Sequence, residues 1–200
     1  MKKILALFCA IAMISACASH QEQAPQKFRE SHFDKQQRID LKVGKIEVAS
    51  EFVPSFTRPN VEHLFPVSIE KTAMNWAHDR LRAVDFSSDK VASFTVKDAS
   101  VTEEFVKSDK LFEKDGIKYR AKLSVVLKVS DQAKFSSAET SLDAWRELLI
   151  PADTPIEEKE VYWKNMVDKL FEEFNSRMQT NINKYLNMYV ENSSYIADYE

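Results

Sequence analysis

Glycine is almost missing from this chain: two residues in 200. Phosphate-cradling loops of the P-loop or dinucleotide-binding kind need several glycines where backbone meets phosphate, so neither is encoded. Cysteine is as scarce, with Cys9 and Cys17 alone. That excludes a disulfide framework and a cysteine zinc site. Neither sign of charge dominates, since 28 Lys and Arg face 31 Asp and Glu for a formal charge of −3. A protein living on a broad basic surface is thereby excluded, and no nucleic-acid partner is expected. Long apolar runs are limited to Ile4 to Ile14, roughly half the length a membrane-spanning helix requires. Internal repeats are lacking too, and the length suits one domain with a real core.

What the chain does have is an address. Lys2 and Lys3 precede the short apolar run, and such flanks and length match a secretory signal peptide. The run ends in Ile14-Ser15-Ala16-Cys17, which resembles a bacterial lipobox. That resemblance implies a diacylglycerol thioether on Cys17, removal of residues 1–16, and acylation of the new amine. Several acyl chains make a stable membrane anchor, whereas a single one, at ~0.8 kcal/mol per buried CH₂, binds only reversibly. Cys9 falls in the removed segment as a small hydrophobe. Losing Lys2 and Lys3 makes the mature chain two charges more negative, so attraction to anionic lipid is not expected to add a second anchor. Ala18 follows the cysteine. In enteric-type lipoproteins an Asp there resembles an inner-membrane retention signal, so Ala18 points to the outer membrane, on its periplasmic face.

From Cys17 to Arg38 the chain is polar and Gln-rich and reads as a flexible tether. Phe28 and Phe33 are its exceptions, either docking on the domain or standing as isolated apolar residues. A single domain is expected over 39–200. Ile39, Leu41 and Val43 alternate, then the apolar set slips by one to Ile46 and Val48, with Gly44 at the slip. This fits a bulged strand or two short strands. Pro54, Pro59 and Pro66 mark an irregular connection. Ser68 then caps an amphipathic helix over roughly 68–84, with Glu70 in its first turn. A strand region starts at Ala92 and reaches about Val106. The clearest strand is Tyr119–Val129, apolar on one face, with Lys118, Arg120, Lys122 and Lys128 on the other. A weaker one spans Phe135–Leu142. Thr154-Pro155-Ile156-Glu157 reads as a helix start, with Thr as cap, Pro in first position and Glu closing a capping box. Periodicity then carries a helix to about residue 190, some 50 Å at 1.5 Å per residue. A strand of about eleven residues is shorter, near 37 Å. Such a helix should bend, break or project. The order β-α-β-β-β-α implies an α+β two-layer sandwich, a mainly antiparallel sheet with both helices on one face.

Catalytic signals are few. His78-Asp79 are helix neighbours pointing in different directions. Glu62-His63, in the Pro-flanked loop, reads as a metal pair only with a remote carboxylate, and a local hydrogen bond is the commoner role. No G-x-S-x-G elbow exists, and lipid would block Cys17. The pairs Glu103-Glu104, Glu157-Glu158 and Glu172-Glu173 read as solvated surface. Trp76, Trp145 and Trp163 read first as core. The Phe52–Leu64 loop is the better binding candidate, through Phe56, Arg58 and His63 held between prolines. The cationic row Lys118, Arg120, Lys122 and Lys128 is a second candidate, suited to an anionic lipid, although four such charges more often serve solubility.

The lipobox, the polar tether, the element order and the segment Tyr119-Arg120-Ala121-Lys122-Leu123-Ser124-Val125 together resemble the LPS-assembly lipoprotein family. That resemblance covers about residues 39–190. It implies a central strand at Tyr119–Val125 and an outer-membrane lipoprotein that sits inside a large β-barrel and helps insert lipopolysaccharide. The stretch Pro59 to Leu81 is also similar to uncharacterised alphaproteobacterial lipoproteins, which supply no activity. The expectation is a non-enzymatic accessory subunit in envelope assembly or lipid transport, with no cofactor. Its partners would be the membrane, through Cys17, and a protein: an outer-membrane β-barrel or a transporter component. The alternatives are an auxiliary lipoprotein of an ABC-type lipid transporter and, from another class, a periplasmic hydrolase or metal enzyme.

Overall fold

The computed structural model describes residues 28–109, 114–131 and 133–191. The expected signal peptide, Cys17 and the expected tether up to residue 27 lie outside the described residues. In chain order the elements are β1 (Ile39–Leu41), β2 (Lys45–Ser50), α1 (Ile69–Arg80), β3 (Leu81–Ala83), β4 (Lys90–Asp98), β5 (Val101–Val106), β6 (Gly116–Asp131), β7 (Ser136–Pro151) and α2 (Ile156–Tyr185).

The strict alternation seen in the sequence becomes β6, whose residues Tyr119, Ala121, Leu123, Val125, Leu127 and Val129 are all buried. It pairs antiparallel with β7 along its whole length. Its other edge takes β4 over residues 124–131 and β5 over residues 116–121. The register shifts by one between Val96 and Asp98 and is then kept through β5. The expected strand from Ala92 to Val106 is therefore one arm, broken by a bulge. β2 extends the sheet in parallel beside β4.

The result is the α+β two-layer sandwich, its main sheet mostly antiparallel, with both helices on one face. Trp76 of α1 lies 5.7 Å from Phe94 of β4 and 5.1 Å from Phe174 of α2, so both helices share one core. Toward the other end Phe65 stacks on Trp163 at 4.9 Å, and Tyr119 meets Trp163 edge-on at 5.4 Å.

Several boundaries differ from the sequence expectation, each for a local reason. The chain does part at Gly44, and the two short strands enter different sheets. β1 pairs in parallel with β3, while Gly44 passes so close to the Ser88 carbonyl that a Cβ would sit 2.1 Å from it. Ser68 caps α1 as expected, accepting from Lys71 N at 3.2 Å. The helix stops at Arg80 rather than at 84, because Leu81–Ala83 turns extended to pair with β1. Arg82 donates there to both oxygens of Asp40 at 2.6 and 2.5 Å.

The start of α2 is also corrected. Thr154 does not cap it: its hydroxyl donates to the Pro151 carbonyl at 2.8 Å, closing the turn after β7. Pro155 occupies the cap position with no side-chain bond, and Ile156 is the first helical residue. The helix ends at Tyr185, and a 3-10 turn at Asn187–Tyr189 returns the chain to β1. Leu186 and Val190 are buried, and Val190 bridges Leu41. The length mismatch disappears, because β6 and β7 each run to 16 residues. They span about 53 Å against about 45 Å for the 30 residues of α2. The weak pattern at Phe135–Leu142 belongs to a strand that begins at Ser136 and continues to Pro151.

Residues 28–38, read as the last part of the tether, pack on the helices. Phe33 is buried against Phe171 at 6.0 Å. Asp79 accepts from Phe33 N at 2.8 Å, and its carboxylate contacts His32 Nδ1 at 3.0 Å. Arg80 is fully buried with no carboxylate partner among the described residues, donating to the Gln37 carbonyl and to Gln179 Oε1. Burial lowers its pKa below the usual arginine value. Asp79 thus anchors the arm from α1. Replacing it (Asp79→Ala) is expected to expose Arg29, Lys35 and Arg38 to trypsin several-fold faster while the far-ultraviolet spectrum stays unchanged; limited proteolysis with mass mapping reads this.

Candidate functional site

The Pro-flanked loop folds back along the sheet. Asn60 bridges Thr102, Val61 N donates to the Val101 carbonyl at 2.8 Å, and Glu103 N donates to the Pro59 carbonyl at 2.8 Å. The loop thereby supplies a partner for β5 on the edge that β6 leaves open. Glu62 holds it closed, since one carboxylate oxygen accepts from Ser55 N at 3.1 Å and the other from Val101 N at 3.5 Å. A carboxylate that takes backbone donors fixes the chain that carries it. Glu62 was legible only as the neighbour of His63; its role as the clasp needed the fold.

Between this loop, the start of α1 and Glu30 of the arm lies a cavity of about 440 Å³. Its walls include Phe52, Phe56, Phe65 and Ile69, with His63 and Lys71 among the polar residues. Phe56 is 65% exposed, adopts φ 55°, and meets His63 with their rings tilted at 47° and 5.5 Å apart. A phenylalanine in the left-handed region is sterically unfavourable, so the loop holds it there. Of the three residues expected to act together, Phe56 and His63 meet at the cavity. Arg58 does not join them and instead pairs with Glu103 at 3.1 Å. Among the described residues, no three His, Cys, Asp or Glu side chains group closely enough to hold a metal ion.

The cationic row lies on the other side of the sheet, on the face that carries no helix. There each charge meets a neighbour strand. Lys118 contacts Glu104 at 2.5 Å, Lys122 contacts Asp98 at 2.9 Å, and Arg120 contacts Glu147 at 3.5 Å while its guanidinium sits 4.8 Å over Trp145. Lys128 stands between Ser93 and Glu139 in register, with no ion pair among the described residues. The hydrogen bond and charge of Glu104 raise the pKa of Lys118, and Asp98 does the same for Lys122. Burial pushes Asp98 up, but hydrogen bonds from Lys122 and Ser100 outweigh it and hold the carboxyl below its ordinary value. Three of the four cations are thus matched inside the sheet, which leaves an anionic lipid little net attraction. The two groups of candidate residues occupy opposite faces and form no joint site. Trp76 and Trp163 are core, whereas Trp145 is 56% exposed on the open face.

No protein-family model matches the chain, and no curated protein matches it. Among solved structures it is similar to a minor lipoprotein of Acinetobacter baumannii, at TM-score 0.39 and 9% identity over 69% of this chain and 94% of that one. Rare lipoprotein B of Shewanella oneidensis gives TM-score 0.33 and 15% identity over 68% of this chain and 97% of that one. A Xanthomonas campestris protein of the DUF330 family gives TM-score 0.33 and 10% identity over 75% of this chain and 89% of that one. At these identities the likenesses bring no residue of known role onto this chain.

Two outcomes follow from the geometry. Because its folded pKa is depressed, the Asp98 carboxyl stabilises the fold above its unfolded pKa, and that contribution is lost as pH falls through the folded value. Lys122→Met removes the main counterweight to burial, so the Asp98 pKa should rise toward its unfolded value, and the acid loss of stability from this group should shrink. Side-chain NMR titration and urea midpoints against pH measure both. At the loop, Phe56→Ala and His63→Ala should each change stability by less than about 0.5 kcal/mol, whereas Glu62→Ala should cost more by opening the clasp. Collapse of the fold on Phe56→Ala, seen by thermal melting, would return that side chain to a structural role.

Proposed function

We propose that the chain is a non-enzymatic lipoprotein, held by acyl chains on Cys17 at the periplasmic face of the outer membrane. There it serves as an accessory subunit in envelope assembly or in lipid or lipopolysaccharide transport. The observation that carries this is Ile14-Ser15-Ala16-Cys17 at the end of a short basic-then-apolar leader. The form of the domain supports an accessory role. One sheet face is filled by helices, while the other is left to side chains that balance one another's charge. Its cavity presents phenylalanines and a tilted Phe56–His63 ring pair rather than a cluster of ligating groups. A protein partner fits these features better than a small charged ligand, because hot spots favour aromatic anchors ringed by polar contacts.

The test is purification of the full-length protein from its own cells in mild detergent, followed by mass spectrometry of what accompanies it. Recovery of a large outer-membrane β-barrel at matched amount is the expected result. Recovery of transporter components would move the subunit to a transport machine, and recovery of the protein alone would overturn the accessory role. Anchoring is checked separately. A clickable fatty-acid label should enter the unmodified protein and be absent from Cys17→Ala, which should also leave the membrane fraction.

A further inference from the structure

Strand β7 presents a long free edge. Among the described residues it pairs with β6 over Ser136–Pro151 and with no other strand. Sixteen residues make roughly 53 Å of backbone. Unpaired donors and acceptors along such an edge are a template for another strand. Helix α2 packs against β7, whose core-facing Thr140, Leu142, Ala144 and Ile150 are buried, and among the described residues of α2 only Asn181 hydrogen-bonds the β7 backbone, donating to the Ser141 carbonyl at 3.3 Å. The opposite edge strand, β2, is six residues long and offers far less.

The side chains on the open face say what such a strand would carry. Charge there alternates from strand to strand. Asp98 and Glu104 stand on the β4–β5 arm, Lys118, Arg120, Lys122 and Lys128 on β6, and Glu139, Asp143 and Glu147 on β7. Only Glu147 among the β7 acids has an ion-pair partner on β6; Glu139 and Asp143 make no hydrogen bond or ion pair among the described residues. Trp145 and Leu149 lie in the same row, 56% and 60% exposed. Basic side chains can place their charge over such an aromatic face, as the Arg120 guanidinium already does over Trp145. A second copy of β7 is a poor match. Two-fold antiparallel registers centred on Ser141, Asp143 or Trp145 set acid opposite acid, those centred on Leu142 or Ala144 set the acids opposite serine, tryptophan or leucine, and none offers them a cation, since this row of β7 contains no Lys or Arg.

We propose that the outer edge of β7 accepts, by strand addition, an extended segment of a partner protein that carries Lys or Arg at alternate positions. Main-chain hydrogen bonds supply the affinity, and Glu139 and Asp143 supply the selection. The edge acids thus find no counter-charge in self-pairing and admit a basic strand. The inference does not depend on which membrane assembly the chain serves, so failure of the proposed function would leave it standing.

The probes are two labelled synthetic peptides, one alternating Lys with Val or Thr and one with Glu at the Lys positions, titrated into the full-length protein in mild detergent. The Lys peptide should bind saturably and slow hydrogen exchange at alternate amides of β7. Glu139→Lys with Asp143→Lys should weaken it by about ten-fold or more and favour the Glu peptide instead. Equal binding of both peptides, no saturable binding, or exchange slowed only outside β7 would overturn the proposal. Should the double variant fail to fold, the exchange pattern of the unmodified protein decides the matter alone.

Discussion

Everything in this domain depends on β6 being paired on both edges along almost its entire length. A 16-residue strand with six buried alternate residues cannot be stable in isolation. The pairing with β7 on one side and the bulged β4–β5 arm on the other gives its backbone groups partners and its apolar row a continuous floor. Both helices then have a single surface to cover, and the aromatic cluster of Trp76, Phe94 and Phe174 forms where they meet it.

That arrangement forces a second consequence. A sheet whose helices all lie on one side must present its other side to whatever surrounds it. Here the problem is met by rows of opposite charge on successive strands, so that the face carries many ions and little net field. The cationic row of β6 and the acidic rows on either side are one feature. Free amines are few, and the electrostatic character of the face shifts toward acid at β7.

The edges are treated differently from each other. The edge of β5 is covered by the Pro59–Val61 segment, fixed through the carboxylate of Glu62. Where α1 ends, the β1–β3 pair and the return of the chain at Val190 close the remaining corner. The arm 28–38 runs over both helices and is fastened by Asp79 and Arg80. The outer edge of β7 alone is long and without a strand partner among the described residues.

The local alternation at Tyr119–Val129, the 3.6-residue periodicity of both helices, the Ser68 cap and the slip at Gly44 are properties of short stretches, so the sequence by itself determined them and with them the α+β class. The expected leader and acylation of Cys17 are likewise read from one short segment. Tertiary structure decided the rest, because it depends on partners distant along the chain. Leu81–Ala83 leaves the helix for a strand only because β1 waits beside it. The second half of β7 hides from pattern reading because its open face holds Trp145 and Leu149 while its inner row holds Arg146. Phe56 and His63 come together through loop closure by Glu62, Arg58 is drawn away by Glu103, and three of the four cations in the β6 row are matched by acids many residues away in sequence. Periodicity reports which side of an element is apolar; what stands opposite each charge is settled only when the strands are laid side by side.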